Sequence, residues 1–485
     1  RGSTLSTEIR GGIVTFVTMA YIVVLNPLII GTVQDKNGHL IDGTCASNKF
    51  DALKNCIPVP PGESVPFSPS TVAVVAAATA LIAGLMSIFM GIYGRFPVAL
   101  ATGLGLNSFL AYNIASQMSW PAALGLMVIG GLLMFILVLT GFRIAVFRAV
   151  PQALKYAIGT GIGLFIAFIG LVDAGIVRSG IPIVSFGLRG ELAGWPMFTF
   201  VFGLVLLSVL VALRVKAGIL IGLISTVVLA VVIEKVANIG PMHLGSGGMN
   251  DTGWGLNVPK IGPLEYVSPT TLFHLDLTSG FKTVGLLSGV ILVFTLLLSD
   301  FFDTMGTVTG LANEADLLNE NGEVEHLAEI LVVDSVAVMA GGVAGTSSNT
   351  AYIESASGIG DGARTGIASI VTGLLFLLAI FVSPLARLVP YEAAAPALII
   401  VGFLMMTQVR KINFDDYSIA IPAFLTIILM PFTYSITNGI GAGIVSYVII
   451  KLAQRKLSEI PAILWVIFIA FVAYFAVNPI QQLIN

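Results

Sequence analysis

The chain has 485 residues, 56% of them hydrophobic and only 10% charged, where soluble domains carry about 25% charged residues. That excludes a soluble globular protein and points to a polytopic membrane protein. A formal net charge of −3, with no polybasic block, predicts no nucleic-acid partner and no dedicated binder of lipid headgroups.

Charge-free intervals set the spans. Arg95 to Arg143 and Asp416 to Lys451 are each long enough for two crossings of about 20 residues. In chain order, Ile9–Val33 is the first predicted span, with Pro27 expected to kink or end it. No cleavable signal is expected, since this run is long and continuous with the rest of the fold, and a chain without an initial Met is expected to lack its first residues. Gln34–Phe67 is a polar loop holding both cysteines, Cys45 and Cys56; a disulfide and two free thiols both fit. The next spans are predicted at Thr71–Tyr93, Pro97–Met118, Pro121–Phe142, Leu154–Asp173, Met197–Val215 and Gly218–Ala237. Asn238–Lys282 is a loop rich in Gly, Pro and Asn, expected outside the cytoplasm. Spans eight to fourteen are placed at Thr283–Gly310, Ala328–Ala344, Thr346–Gly360, Thr365–Leu385, Ala393–Met406, Tyr417–Tyr434 and Gly439–Leu452. A further apolar stretch, Ile460–Ile480, either lies along the membrane or crosses it.

The halves echo one another. Thr18-Met19 in span one matches Thr304-Met305 in span eight, which sets Val17 where Asp303 stands. Arg148 to Pro151 matches Arg387 to Pro390, and Gly218-Ile219 with Gly222 and Ser225 matches Gly439-Ile440 with Gly443 and Ser446. Seven spans is odd, so the second copy enters the bilayer from the opposite side. The expectation is an all-α polytopic membrane protein of fourteen transmembrane segments in a 7+7 inverted repeat, a transporter architecture.

Three places carry the chemistry. In span eight, Asp300 and Asp303 lie three residues apart, on one helix face with Thr304 beside them. An acid inside hydrocarbon costs at least about 2.5–3.5 kcal/mol on insertion scales, so two of them there mark a function. Span three carries Gly103, Gly105 and Asn107 at mid-membrane, and span ten runs from Gly345 through Thr346, Ser347, Ser348, Asn349 and Thr350 to a lone Glu354. Backbone interrupted at that depth is tolerated only where protein buries it or it lines a cavity, and matching interruptions in two halves point to a transporter's binding site. Asp334 in span nine reads equally well as a structural hydrogen-bonding group. Gly159 to Gly163 is no dinucleotide loop, since no strand precedes it. The expected site holds Asn107, Asp300, Asp303, Glu354, hydroxyls such as those of Thr346 and Ser347, and nearby rings of Phe109, Phe301, Phe302 and Tyr352. With no Lys or Arg deep in spans three, eight or ten, the implied ligand is flat, neutral and rich in hydrogen-bond donors.

At these residues the chain resembles the AzgA-like purine permeases, within the larger nucleobase–ascorbate transporter fold. The resemblance rests on Thr4 to Gly11 leading into Thr15 to Tyr21, on Gly103-Leu104-Gly105-Leu106-Asn107, on Asp300-Phe301-Phe302-Asp303-Thr304, and on Gly345 to Ser355. It implies seven plus seven spans divided into a core (9–142 and 283–387) and a gate (143–237 and 388–453), with 454–485 as a C-terminal apolar segment. Short strands are implied in segments three and ten, and dimers through the gate. By motif match, Gly105, Asn107, Asp300, Asp303 and Glu354 are implied as substrate-site positions, with Phe302 as a stacking partner. The pattern of the xanthine and urate branch in span ten is missing, which favours adenine, guanine and hypoxanthine. The expected function is a plasma-membrane symporter of purine nucleobases driven by protons, because burial penalises a charged carboxylate and Glu354 or Asp300 can then take up a proton. Sodium coupling is the alternative, followed by an anion transporter or channel on the same fold. An enzyme is not expected: the spans lack His and Cys, and no cofactor or metal motif is present.

Overall fold

The computed structural model describes residues 2–51, 54–60, 65–141, 150–179, 183–187, 190–242, 250–255, 257–260, 269–318 and 324–484, without the side chains of 302, 305, 306, 309, 313, 314 and 477–484. Among these residues, ten helices are long and apolar enough to cross a membrane, and three shorter apolar helices lie at Leu286–Phe301, Tyr417–Phe432 and Ala462–Ala476.

The first span is broken. α1 runs Leu5–Met19 and α2 Ile22–Ile30. Pro27, expected to kink or end the span, instead sits inside α2. Because α2 starts at Ile22, Pro27 forfeits only the bond its missing N–H would make to the Val23 carbonyl, and the break falls at Ala20-Tyr21. The two cysteines after α2 are joined as a disulfide, Cys45–Cys56. α3, Pro69–Phe89, begins where Ser68 accepts from the Thr71 N–H with Pro69 in the first turn, a standard helix start.

Segment three is not a continuous helix. A strand, β1 at Leu100–Thr102, leads into the short α4 at Leu104–Ser108 and a π-helical stretch at Phe109–Ile114. α5 (Trp120–Leu139), α6 (Gln152–Asp173), α7 (Trp195–Ala212) and α8 (Gly218–Ala237) follow, with a small hairpin, β2 at Val177–Ser179 and β3 at Val184–Phe186, between α6 and α7.

The second half opens with α9 (Ser279–Val284) and α10 (Leu286–Glu314), which starts three residues later and ends four residues later than expected. α11, Leu327–Ala344, leads into β4 at Asn349–Ala351, a 3₁₀ turn at Ile353–Ser355 and α12 at Ala356–Gly360. Then come α13 (Gly366–Ala379), extended by 3₁₀ turns to Leu388, α14 (Tyr391–Met406), α15 (Tyr417–Phe432) and α16 (Ile436–Ala453). The C-terminal stretch is a helix, α17 at Ala462–Ile484, whose Leu464, Ile467 and Phe471 are buried as it packs on α16 and α10.

Packing sorts the helices into two neighbourhoods. α3 lies on α2 and α13, α13 on α1, and α5 on α10 and α11, while α6 packs on α14, α15 and α16, and α7 on α8 and α14. Glycines permit the closest crossings. A Cβ on Gly366 would lie 2.0 Å from the Gly91 carbonyl oxygen, and one on Gly402 would lie 2.4 Å from the Gly163 carbonyl oxygen. Without solvent to drive helices together inside lipid, such backbone-level contact is a main source of association.

Gly366→Ala should therefore lower the thermal midpoint of the detergent-solubilised protein, since overpacking costs typically about 1–3 kcal/mol. Gly310→Ala, where a Cβ meets open space, should leave it unchanged or raise it; equal losses in both would refute the close-approach account. Arg10 and Arg95 flank the first two spans, and by the positive-inside rule those ends are expected at the cytoplasmic face. After reduction, Cys45 and Cys56 should react with an impermeant thiol reagent from the extracytoplasmic side, and labelling from the cytoplasmic side alone would invert this topology.

Candidate substrate-binding site

The site begins as a backbone problem. A chain that leaves helical geometry between helices exposes N–H and C=O groups that no water inside a bilayer can satisfy. Here the two interrupted segments satisfy each other. β1 and β4 pair antiparallel, with Leu100 opposite Ala351, Ala101 opposite Thr350, and Thr102 opposite Asn349. The ladder extends at both ends: Gly103 N–H donates to the Ser348 carbonyl at 2.9 Å, and Tyr352 N–H to the Ala99 carbonyl at 3.1 Å. The Tyr352 hydroxyl donates to the Thr102 carbonyl at 2.6 Å, and the Ala99 N–H to the Ser355 hydroxyl at 3.1 Å. Ser87 on α3 and Ser369 on α13 serve the remaining carbonyls at Leu100, Phe96 and Val98.

The acids of α10 meet this strand. Ser348 donates its hydroxyl to Asp300, and Thr350 donates to Asp303 at 3.3 Å. The match is geometric: residues i and i+2 share a strand face, and i and i+3 share a helix face. Next on α10, Thr304 donates to Asp334 of α11 at 2.7 Å, so Asp334 takes the structural hydrogen bond that was one of its two readings. Glu354, in the 3₁₀ turn after β4, is half-buried and accepts from the Tyr21 hydroxyl. Thr18 donates to the Glu354 backbone carbonyl at 3.4 Å.

Asn107 is fully buried on α4, and neither its amide oxygen nor its amide nitrogen has a partner among the described residues. The buried hydroxyls of Thr102 and Ser347 are likewise unpaired, with Ser347 in the left-handed region at φ 75°. Unpaired groups out of water cost roughly 1–3 kcal/mol each, so those on the two interrupted segments are candidates for bonding a ligand, although buried unpaired groups also occur elsewhere, as at Thr160 and Thr437. Thr346 differs: its hydroxyl and N–H both donate to the Gly341 carbonyl and its own carbonyl accepts from Asn26, which makes it the end of α11. Gly105 lies against α6, where a Cβ would come 2.4 Å from a methyl of Ile162; it lets segment three approach the other helical neighbourhood. The Phe302 side chain lies outside the described residues. Thr18 and Tyr21 were not foreseen as site residues. The sequence hints were the echo between Thr18-Met19 and Thr304-Met305 and the run Thr15 to Tyr21 among the motifs of the resemblance.

No Lys, Arg or His occurs in 97–118, 283–312 or 346–360. Carboxylates at 300, 303 and 354 lie on or against segment ten, and the Asn107 amide and the Thr102 and Ser347 hydroxyls add unpaired polar groups on segments three and ten. Such a set suits a neutral ring bearing N–H and amino donors, and it would repel an anion.

A model of the Permease family, Xan_ur_permease, matches residues 57–442. The chain is 36% identical over 479 residues to the guanine/hypoxanthine permease PbuG of Bacillus subtilis (strain 168), covering 98% of this chain and 97% of that protein. It is 34% identical over 477 residues to the adenine permease AdeP of Escherichia coli (strain K12), covering 97% and 93%. Among solved structures, the transmembrane domain of the cyanobacterial bicarbonate transporter BicA shares the fold, with a TM-score of 0.58 at 13% identity, covering 91% of this chain and 98% of that one.

Glu354→Gln keeps the shape of the side chain but turns one acceptor into a donor. Because a hydrogen bond to a charged group contributes roughly 1.5–3 kcal/mol and about 1.4 kcal/mol is one decade, the purified variant's affinity for a ligand that bonds Glu354 should fall by about tenfold or more. Asp300→Asn should weaken binding or uncouple transport from the ion gradient, and the exposed control Glu191→Gln should do neither. Unchanged affinity and gradient dependence in both site variants would make these acids structural.

Proposed function

The chain belongs to the Permease family matched over residues 57–442, a family of membrane transporters and not of enzymes, and from that premise we propose that it carries purine nucleobases across the plasma membrane as a proton-driven symporter. The observation that carries the reading is the row of acceptors where the interrupted segments meet: Asp300 and Asp303 on hydroxyls of segment ten, Glu354 beside them, and an unpaired Asn107 amide. Adenine, guanine and hypoxanthine each offer ring N–H donors and a flat face to such a set. The names of the full-length relatives point the same way. The solved neighbour is named for bicarbonate, but an anion would want a cation at the site, and segments three, eight and ten have none.

In this reading 9–142 and 283–387 form a core that carries the site, and 143–237 and 388–453 form a gate against which the core moves, so the site opens to one side at a time. Gly105, pressed against Ile162, lies on that boundary. Acids within the membrane are costly when charged and unpaired, and taking up a proton from the outside removes that cost, which links base and proton in one cycle.

Uptake of radiolabelled hypoxanthine into proteoliposomes provides the test. Unlabelled adenine, guanine or hypoxanthine should compete, and uracil, urate and ascorbate should not. A protonophore should abolish accumulation, and removal of sodium should leave it intact. Equal competition by uracil would overturn the purine assignment, and loss of uptake on removing sodium alone would overturn proton coupling.

A further inference from the structure

Tyr21 stands at the break of the first span, between α1 and α2, and is fully buried. A buried phenol needs a partner for its O–H. The one it finds is Oε1 of Glu354, 333 residues away in sequence. One turn earlier, the Thr18 hydroxyl, which also donates to the carbonyls of Val14 and Thr15, reaches the Glu354 carbonyl at 3.4 Å. The end of α1 and the break after it thus both face residue 354, with the phenol giving the specific bond to its side chain.

The surrounding contacts keep Tyr21 from drifting. α1 is seated directly on the turn that comes after Glu354: a Cβ on Gly11 would lie 2.9 Å from the Gly358 carbonyl oxygen, and one on Gly358 would lie 2.2 Å from the Thr15 hydroxyl. Thr372 on α13 donates to the Gly12 carbonyl at 2.9 Å. With α1 fixed on both sides, the phenol is a rigid donor aimed at one carboxylate oxygen. A glutamate has three side-chain torsions that sample several staggered states; its carboxylate also bonds its own backbone N–H, and the phenol adds the restraint from a separate element.

We propose that Tyr21 is a positioning residue that pins Oε1 of Glu354 and so leaves Oε2 as the acceptor offered to a purine ring N–H. The assignment rests on the reading of Glu354 as a base-binding group. It gives the broken first span a role in binding, although none of its residues need touch the base. It also predicts that Tyr21 acts only through Glu354.

A double-mutant cycle reads that dependence. Tyr21→Phe keeps the ring in its buried place and removes only the hydroxyl. It should weaken equilibrium binding of hypoxanthine to the purified protein by about tenfold or more, the size of one hydrogen bond to a charged group. In the Glu354→Met background, which leaves the phenol no carboxylate or amide oxygen to bond, the same change should cost less than about twofold, because contacting residues that act as a unit are non-additive. Equal losses in both backgrounds would assign Tyr21 a packing role and overturn the proposal. A second readout needs no purine: the carboxyl infrared band that disappears in Glu354→Gln should shift in Tyr21→Phe, and an unmoved band would overturn the proposal whatever the protein binds. If the wild type bound no purine base, the transport reading would fall, and the infrared comparison would still decide the hydrogen bond.

Discussion

The constraint on which the rest of this structure depends is that a backbone broken inside a membrane must find its hydrogen bonds within the protein. Segments three and ten stop being helices at the same depth and solve the problem together, through three paired residues on each side and two further bonds at the ends of the ladder. Neither strand could stand there without the other. The two come from opposite halves of the chain, so each half supplies one side of the ladder. The hydroxyls of Ser87, Ser355 and Ser369 complete the accounting. These small polar side chains, scattered through apolar sequence, are supports for extended backbone.

Once the strand is held, its side chains alternate, and that alternation organises the acids. Ser348 and Thr350 point to one face and meet Asp300 and Asp303, while Asn349 turns to the other face and its amide reaches the Ala337 carbonyl of α11 at 3.5 Å. The broken first span then reaches in from the side to hold Glu354. Each carboxylate of the site thus has a neutral hydroxyl for a partner. Hydroxyls leave lone pairs free and add no positive charge, which a tight Arg or Lys pair would do. On the reading proposed, that is the chemistry a carrier needs if base and proton are both to be released each cycle.

Much of this was legible in the sequence, and the remainder was hidden for identifiable physical reasons. The membrane class, the interruption of segments three and ten, and the paired acids on span eight follow from charge spacing and from glycines and hydroxyls where lipid-facing residues belong. The pairing of the strands was not readable from the residues, because three residues are too few to show a period of two. The break at Ala20-Tyr21 was hidden because no Gly or Pro marks it and Pro27 drew attention to the wrong turn. Spacing left Cys45 and Cys56 open between disulfide and thiols; the turns that fold the loop back on itself bring them together. Gly105 shows the opposite limit: the residue was singled out, but only the position of Ile162 reveals that its missing side chain makes room for a neighbouring helix.

The central claim is that the meeting point of β1, β4 and α10 is where the transported base sits. A structure determined with hypoxanthine bound, in detergent or nanodisc, tests it most directly. The account predicts density for the base at the end of the strand ladder, with a ring nitrogen within about 3.2 Å of Glu354 Oε2, a normal hydrogen-bond distance, and with Asp300 or Asp303 facing the same ligand. Density for the base at any site that Glu354 and the two aspartates do not line would contradict it.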